Sequence, residues 1–386
     1  MYMVRSLGIL EDQLAQKARY AKATDRRFMQ LALTLGRRGL GRTWPNPAVG
    51  AVVVKDGIIV GRGWTQPGGR PHAEPVALKQ AGEAARGATI YVTLEPCSHF
   101  GKSPPCTDAV IAAGISRVVA AIEDPNPEVA GQGFAKLRAA GIAVDVGLER
   151  DEAAYAHAGH FRRIRDLRPH VILKLAVSAD DKIGAAGGKP VAITGETART
   201  RVHLLRAQCD AILVGIGTVL ADDPLLTCRL PGMETRSPVR VVLDRAMRLT
   251  GDSRLVQSAR ATPLWVMASE LAEAPAAAKL GAAGAVVIRM LPATASGLDL
   301  KAVLHTLADK GITRLMVEGG SRVAASFVAA DLVDEVWLLR APQAIGVDGI
   351  NALDALPLTQ ITQSSAFRVR ASETLDADTL TIYERA

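Results

Sequence analysis

The sequence predicts two α/β domains in one chain, and three observations carry that prediction. Its 386 residues are too many for one ordinary core and enough for two, with a 48% hydrophobic share to fill them. The first half alternates short apolar runs with stretches of helical periodicity. In the second half, Val171–Val177, Ala211–Val214, Val239–Leu243 and Arg314–Val317 are nearly unbroken apolar runs. Strands of that kind are buried on both faces, as in a parallel sheet covered by helices.

Residues 1–24 are polar and weakly periodic, and read as an extension outside the fold. Asp25 is placed to cap a helix running to Arg38, with Phe28, Leu31, Ala32 and Leu35 on one face. The rigid Trp44-Pro45-Asn46-Pro47 loop leads into strand Val49–Val54, and Lys55-Asp56-Gly57 turns it into Ile58–Trp64, a hairpin. A helix starting at Pro71-His72-Ala73-Glu74 runs to Ala84, strand Ala88–Leu94 delivers Glu95-Pro96-Cys97 at its carboxyl end, and Cys106 opens a helix to Ala113. Strand Val118–Ile122, a helix near Gly133–Ala140 and strand Ile142–Val146 complete the domain. A helix over Asp151–Arg165 ends in a basic stretch before Pro169, which puts the boundary near 167 and gives domains 25–167 and 168–386.

The chemistry is concentrated in His72-Ala73-Glu74 and in the run from Pro96-Cys97 to Cys106. One imidazole and two thiols can hold zinc while leaving a fourth tetrahedral position open, and zinc there brings the pKa of its water to about 7. A His-x-Glu followed by Pro-Cys and a second Cys is the pattern of zinc deaminases, in which the Glu is no ligand but moves protons. Eight residues separate Cys97 from Cys106, against about two in the common form. His72 and Cys106 both stand at helix starts, where the dipole favours anionic ligands. Two other readings stand beside this one: a closed structural zinc site with His99 as fourth ligand, and cysteines that are simply small core residues.

Composition narrows the partners. The net charge is +7, but Lys and Arg are scattered among acids, and aromatics make up only 4%. That is poor material for stacking bases and suits small anionic ligands. Four cysteines make no disulfide framework, no apolar run reaches membrane length, and the N-terminus has no secretory order. A cytoplasmic protein without nucleic-acid or membrane partners is expected. In the second half, Gly215-Ile216-Gly217-Thr218 and Glu318-Gly319-Gly320 follow apolar runs and precede helices, where bare N–H groups can face an anion. Neither completes a dinucleotide fingerprint.

Three segments carry a resemblance: Asn46-Pro47-x-Val49-Gly50, Gly68-x4-Ala73-Glu74 with His72 between, and Pro96-Cys97-Ser98-His99-x-Gly101-x-x-Pro104-Pro105-Cys106. The first half resembles the cytidine-deaminase superfamily. From about residue 25 to the C-terminus the chain resembles the bifunctional riboflavin-biosynthesis deaminase-reductase family. The resemblance implies a cytidine-deaminase-like α/β/α domain and a dihydrofolate-reductase-like α/β domain. It implies that His72, Cys97 and Cys106 hold Zn2+ and that Glu74 is the proton shuttle. The implied substrate is a phosphorylated pyrimidine, 2,5-diamino-6-ribosylamino-4(3H)-pyrimidinone 5′-phosphate, whose deaminated product is reduced by NADPH from ribosyl to ribityl. The implied cofactor contacts are Ala176, Ala192, Thr194, Thr218, Asp222 and Gly320, Ser321, Arg322, Val323, Ala324, Ala325 and Ser326. The implied substrate contacts are Pro190, Arg206, Leu226, Arg229 and Glu318, with the two arginines as phosphate clamps.

One stretch departs from the pattern. Pro190-Val191-Ala192 replaces a serine-x-tryptophan, so a polar contact at 190 and a large ring at 192 are missing. The family's habit makes a homo-oligomer the expected state. The competing functions are a nucleic-acid deaminase, such as one for tRNA adenosine, and a non-enzymatic module stapled by zinc.

Overall fold

The computed structural model of the protein describes residues 23–185, 191–291 and 297–386. Residues 1–22 of the expected 1–24 extension and the substrate contact at Pro190 lie outside the described residues, while residues 23 and 24 belong to the first helix rather than to an extension. The chain divides into two units between Arg165 and Asp166.

The first unit runs α1 (23–37), β1 (Gly50–Lys55), β2 (Ile58–Trp64), α2 (Ala73–Ala81), β3 (Thr89–Val92), α3 (Cys106–Ala112), β4 (Arg117–Ala120), α4 (Gln132–Ala139), β5 (Ala143–Val146), α5 (Arg150–Ala156) and α6 (Ala158–Asp166). The sheet order is β2-β1-β3-β4-β5. The expected hairpin pairs β1 with β2, and β3, β4 and β5 run parallel. Val52, Val53, Ile90, Val92 and Val118 are buried in its core. Two glycines of β2 decide how closely α2 can lie on this sheet. A Cβ at Gly63 would stand 2.1 Å from the Ala73 carbonyl oxygen, and one at Gly61 2.2 Å from that of Ala77. Without side chains at these two positions the first turn of α2, with His72 and Glu74, reaches the sheet.

Two expectations for this unit are corrected. Residues 23 and 24 are already helical, so Asp25 is not a cap. Its carboxylate accepts the Tyr91 hydroxyl at 2.5 Å and Arg117 Nη2 at 2.8 Å, which ties α1 to β3 and β4. The single helix over 151–165 is two, broken at His157. That ring is buried, with Nε2 3.1 Å from Thr93 Oγ1.

The second unit runs β6 (His170–Val177), β7 (Lys182–Gly184), α7 (Glu196–Gln208), β8 (Ala211–Gly215), α8 (Ile216–Asp222), β9 (Val239–Leu243), α9 (Arg254–Gln257), β10 (Leu264–Ser269), α10 (Ala274–Ala282), β11 (Val286–Met290), α11 (Leu300–Asp309), β12 (Arg314–Val317), α12 (Ser321–Ala329), β13 (Glu335–Arg340), β14 (Ile350–Asn351), α13 (Thr359–Thr362), β15 (Phe367–Leu375) and β16 (Asp378–Arg385). Its nine-stranded sheet has the order β11-β10-β9-β8-β12-β6-β13-β16-β15. The parallel reading holds from β11 to β13. It is corrected at one edge, where β16 and β15 are antiparallel. β15 is exposed at most positions, so it lacks the apolar signature of the buried strands. A small sheet pairs β7 with β14. The chain moves outward from β8 to β11 and returns to lay β12 between β8 and β6, and such a reversal leaves a crevice at the carboxyl ends of the strands. No helix among the described residues is long and apolar enough to cross a membrane.

Candidate active sites

In the first unit, His72 is the N-cap residue of α2, Cys106 is the first residue of α3, and Cys97 lies in the loop after β3. Their ligand atoms all lie within 4.8 Å of one another, the one such group among the described residues. His72 Nδ1 is 3.3 Å from Cys106 Sγ and 3.8 Å from Cys97 Sγ. Donors about 2.0–2.3 Å from a tetrahedral zinc stand roughly 3.3–3.8 Å apart, which matches both of these separations. The ring turns Nδ1 to both sulfurs and leaves Nε2 buried without a partner, an arrangement that a shared cation explains. His99 is not part of the cluster, which leaves three ligands and an open position rather than a closed structural site.

The scaffold around Cys97 is built from main-chain groups. The Cys106 N–H donates to Cys97 Sγ at 3.3 Å, and the Thr107 N–H donates to the Cys97 carbonyl at 3.2 Å. Two residues before Cys97, the buried Glu95 carboxylate accepts the N–H groups of Gly131 at 3.0 Å, Phe134 at 3.2 Å and Asp124 at 3.3 Å. The end of β3 is thereby fastened to the turn before α4. Hydrogen bonding from Cys106 and the neighbouring His72 ring, against the effect of burial, pull the Cys97 thiol down to about 4. Glu74 is 3% exposed and stands outside the ligand cluster. Burial and the Cys97 charge push its carboxyl up to about 7, in the range of a group that both takes and gives protons near neutrality.

In the second unit, a cleft of ≈ 530 Å³ opens at the carboxyl ends of β6, β8 and β12. Glu318 is among the residues that line it. One carboxylate oxygen accepts Lys174 Nζ at 3.1 Å; the other accepts Arg206 Nε at 3.0 Å and Nη2 at 2.9 Å. Burial alone would raise this carboxyl, but Arg206 and Lys174 hold it at about 2. Arg229 also lines the cleft, and its guanidinium has no hydrogen-bond or ion-pair partner among the described residues. Gly320, at φ 64°, is the N-cap of α12 and has no capping side chain; a Cβ on Gly319 would stand 2.9 Å from Val214 and 3.0 Å from Thr218 Oγ1. A bare turn entering a helix N-terminus suits the phosphates of a dinucleotide.

Of the predicted contacts, Ala176, Ala192, Thr194, Thr218, Asp222, Gly320 and Ser321 line the cleft, together with Arg206, Arg229 and Glu318. Arg322, Val323, Ala324, Ala325 and Ser326 do not; they continue along α12, with Ala324 in the core and Val323 against Gly215. Leu226 is a core residue at φ 55°. The sequence reading missed Lys174, Arg199 and His203, all on the cleft wall. Lys174 had a visible signal, a charge inside an otherwise apolar strand. His203 and Arg199 had none, because polar residues on one face of a helix are ordinary.

The Cytidine and deoxycytidylate deaminase zinc-binding region model matches residues 22–122, and the RibD C-terminal domain model matches residues 169–381. The chain is 41% identical over 361 residues to riboflavin biosynthesis protein RibD of Aquifex aeolicus, covering 94% of this chain and 98% of the relative. The chain belongs to the RibD family. The Escherichia coli RibD is 42% identical over 358 residues, 90% of this chain and 95% of the relative. Acinetobacter baumannii RibD superposes with a TM-score of 0.83 at 35% identity, covering 95% of this chain and 99% of that one. A diaminohydroxyphosphoribosylaminopyrimidine deaminase/5-amino-6-(5-phosphoribosylamino)uracil reductase of Thermotoga maritima gives 0.81 at 36% identity, covering 95% and 100%. RibD family membership makes this a bifunctional deaminase and reductase of riboflavin biosynthesis, with zinc in its first unit and NADPH in its second.

A direct consequence concerns the metal. Cys106→Ser is expected to lose zinc on dialysis, and ammonia release with it, because serine is a poor zinc ligand. NADPH oxidation with preformed deaminated substrate is expected to stay within about twofold, since the zinc ligands belong to the first unit and the cleft is built from residues of the second, with no shared partners. Metal analysis alongside the two assays checks this; full zinc content in the variant would contradict the ligand set.

Proposed function

We propose that the first unit removes the ring amine of diamino-ribosylamino-pyrimidinone phosphate and that the second reduces the ribosyl group of the product. The observation that carries the first half is the buried Glu74 beside a three-ligand cluster. Zinc held by His72, Cys97 and Cys106 supplies a water activated near neutral pH. Glu74 would take the two protons of that water in turn, passing one to the ring nitrogen and the other to the departing amine, so that a C–N bond is exchanged for C=O and ammonia leaves. In the second unit NADPH supplies hydride, and the cleft residues hold the two reactants. The Gly319-Gly320 turn would hold the cofactor phosphates, while Arg229, beside the Lys174–Glu318–Arg206 group, gives the cleft an uncommitted cation suited to the sugar phosphate.

The departure at 190–192 is consistent with this assignment at one of its two ends. Ala192 lines the cleft, so a backbone contact there survives the loss of a ring. Two thiolate ligands favour a reducing compartment, which supports a cytoplasmic location. A homo-oligomer follows the family habit, and light scattering on the purified protein tests it. The decisive test of function is a coupled assay on zinc-loaded protein that follows ammonia and NADPH separately. Both signals, with oxidation waiting on deamination, are expected. Ammonia without oxidation would remove the second half of the proposal, and neither signal would remove both.

A further inference from the structure

Three consecutive residues ahead of the cleft are held through their main chain by side chains from elsewhere. The Thr227 carbonyl accepts Arg206 Nη1 at 3.1 Å, the Cys228 N–H donates to Ser237 Oγ at 3.1 Å, and the Arg229 N–H donates to His203 Nδ1 at 3.3 Å. Leu226, just before them, is buried at φ 55°, which fixes the direction in which the segment leaves the core. His203 and Arg206 are three residues apart on α7 and therefore share one face of that helix. One helix face thus grips both ends of Thr227–Arg229.

The two arginines of the cleft do different work. Arg206 spends its guanidinium on Glu318 and on the Thr227 carbonyl. Arg229 keeps its side chain uncommitted and exposed on the cleft wall. Only the second is ready to meet an incoming anion without first breaking a buried ion pair. Burial and the flanking Arg206 and Arg229 push His203 down to about 4. Its ring is neutral at working pH, with Nδ1 as an acceptor.

We infer that His203 is a positioning residue for the phosphate-bearing substrate: together with Arg206 it splints Thr227–Arg229 and thereby fixes where the Arg229 guanidinium meets the phosphate. This rests on the proposed reading of the cleft as the reductase's substrate site. It also changes the part of Arg206, from a phosphate clamp to the support of one.

The test is steady-state NADPH oxidation by the full chain with the deaminated 5′-phosphate substrate and with the same compound dephosphorylated. His203→Leu is expected to raise KM for the phosphorylated substrate about three- to tenfold, the range one hydrogen bond commands, with kcat little changed. His203→Asn, whose Oδ1 can stand near the position of Nδ1, restores KM. Arg229→Ala raises KM further, and adding His203→Leu to it has no additional effect. On the dephosphorylated compound His203→Leu matches the parent. A raised KM in Arg229→Ala beside an unchanged KM in His203→Leu overturns the inference alone. So does an Asn variant as poor as Leu, or an equal loss on both compounds. An unchanged KM in Arg229→Ala brings down the reading of the cleft itself, and the inference with it.

Discussion

Glu74→Gln is expected to lower ammonia release by about three orders of magnitude, within the range a positioned acid–base group supplies. Zinc content and folding should be retained, because Glu74 is not among the cluster's ligands and glutamine keeps its shape. The size of the effect follows from the environment. The side chain is 3% exposed, and burial together with the nearby Cys97 charge raises its carboxyl to about 7. Such a group can be found in either protonation state near neutrality, whereas an amide can neither accept nor give up the proton. NADPH oxidation with preformed deaminated substrate should be untouched. Ammonia release within tenfold of the parent, in a variant with full zinc, would remove Glu74 from the proton path.

The second large effect is expected in the other unit. Glu318→Gln leaves Lys174 and Arg206 facing each other in a largely buried site without the anion that both contact. Breaking a buried pair by removing one partner costs about 3–5 kcal/mol. We expect a lower unfolding temperature for this unit and loss of NADPH oxidation, with ammonia release intact. The same carboxylate makes the unit acid-sensitive, and the sign follows from its depressed pKa. The unfolded chain binds this proton near pH 4.5, while the folded chain binds it only near about 2. The stabilisation is complete above pH 4.5 and is lost as pH falls toward 2; the difference corresponds to about 3 kcal/mol. Unfolding followed against pH, in parent and Glu318→Gln, measures it. Identical acid profiles for the two would show that Glu318 does not organise the cleft.

Much of the first unit was legible because its signals are local. The hairpin over residues 49–64 needed only two apolar runs and a turn, and the parallel centre of the second sheet needed only strands too apolar for any other place. What stayed hidden was held by residues far apart. Asp25 looked like a helix cap, since Asp is a good one, but Arg117 and Tyr91 had a stronger claim on it. The break at His157 was masked by helical residues on both sides. The β15–β16 hairpin carried too few apolar residues to announce itself as part of a large sheet.

The sequence by itself determined the metal chemistry. His72, Glu74, Cys97 and Cys106 fall within 35 residues, on two helix starts and in the loop after a strand, whose positions local signals already fix. Only the tertiary structure decided the make-up of the reductase cleft. Lys174 and Arg206 meet Glu318 across 144 and 112 residues of chain, and they meet because β12 returns to lie between β6 and β8. Ion pairs depend on distance in space, and strand order, which sets that distance here, is written in no single segment.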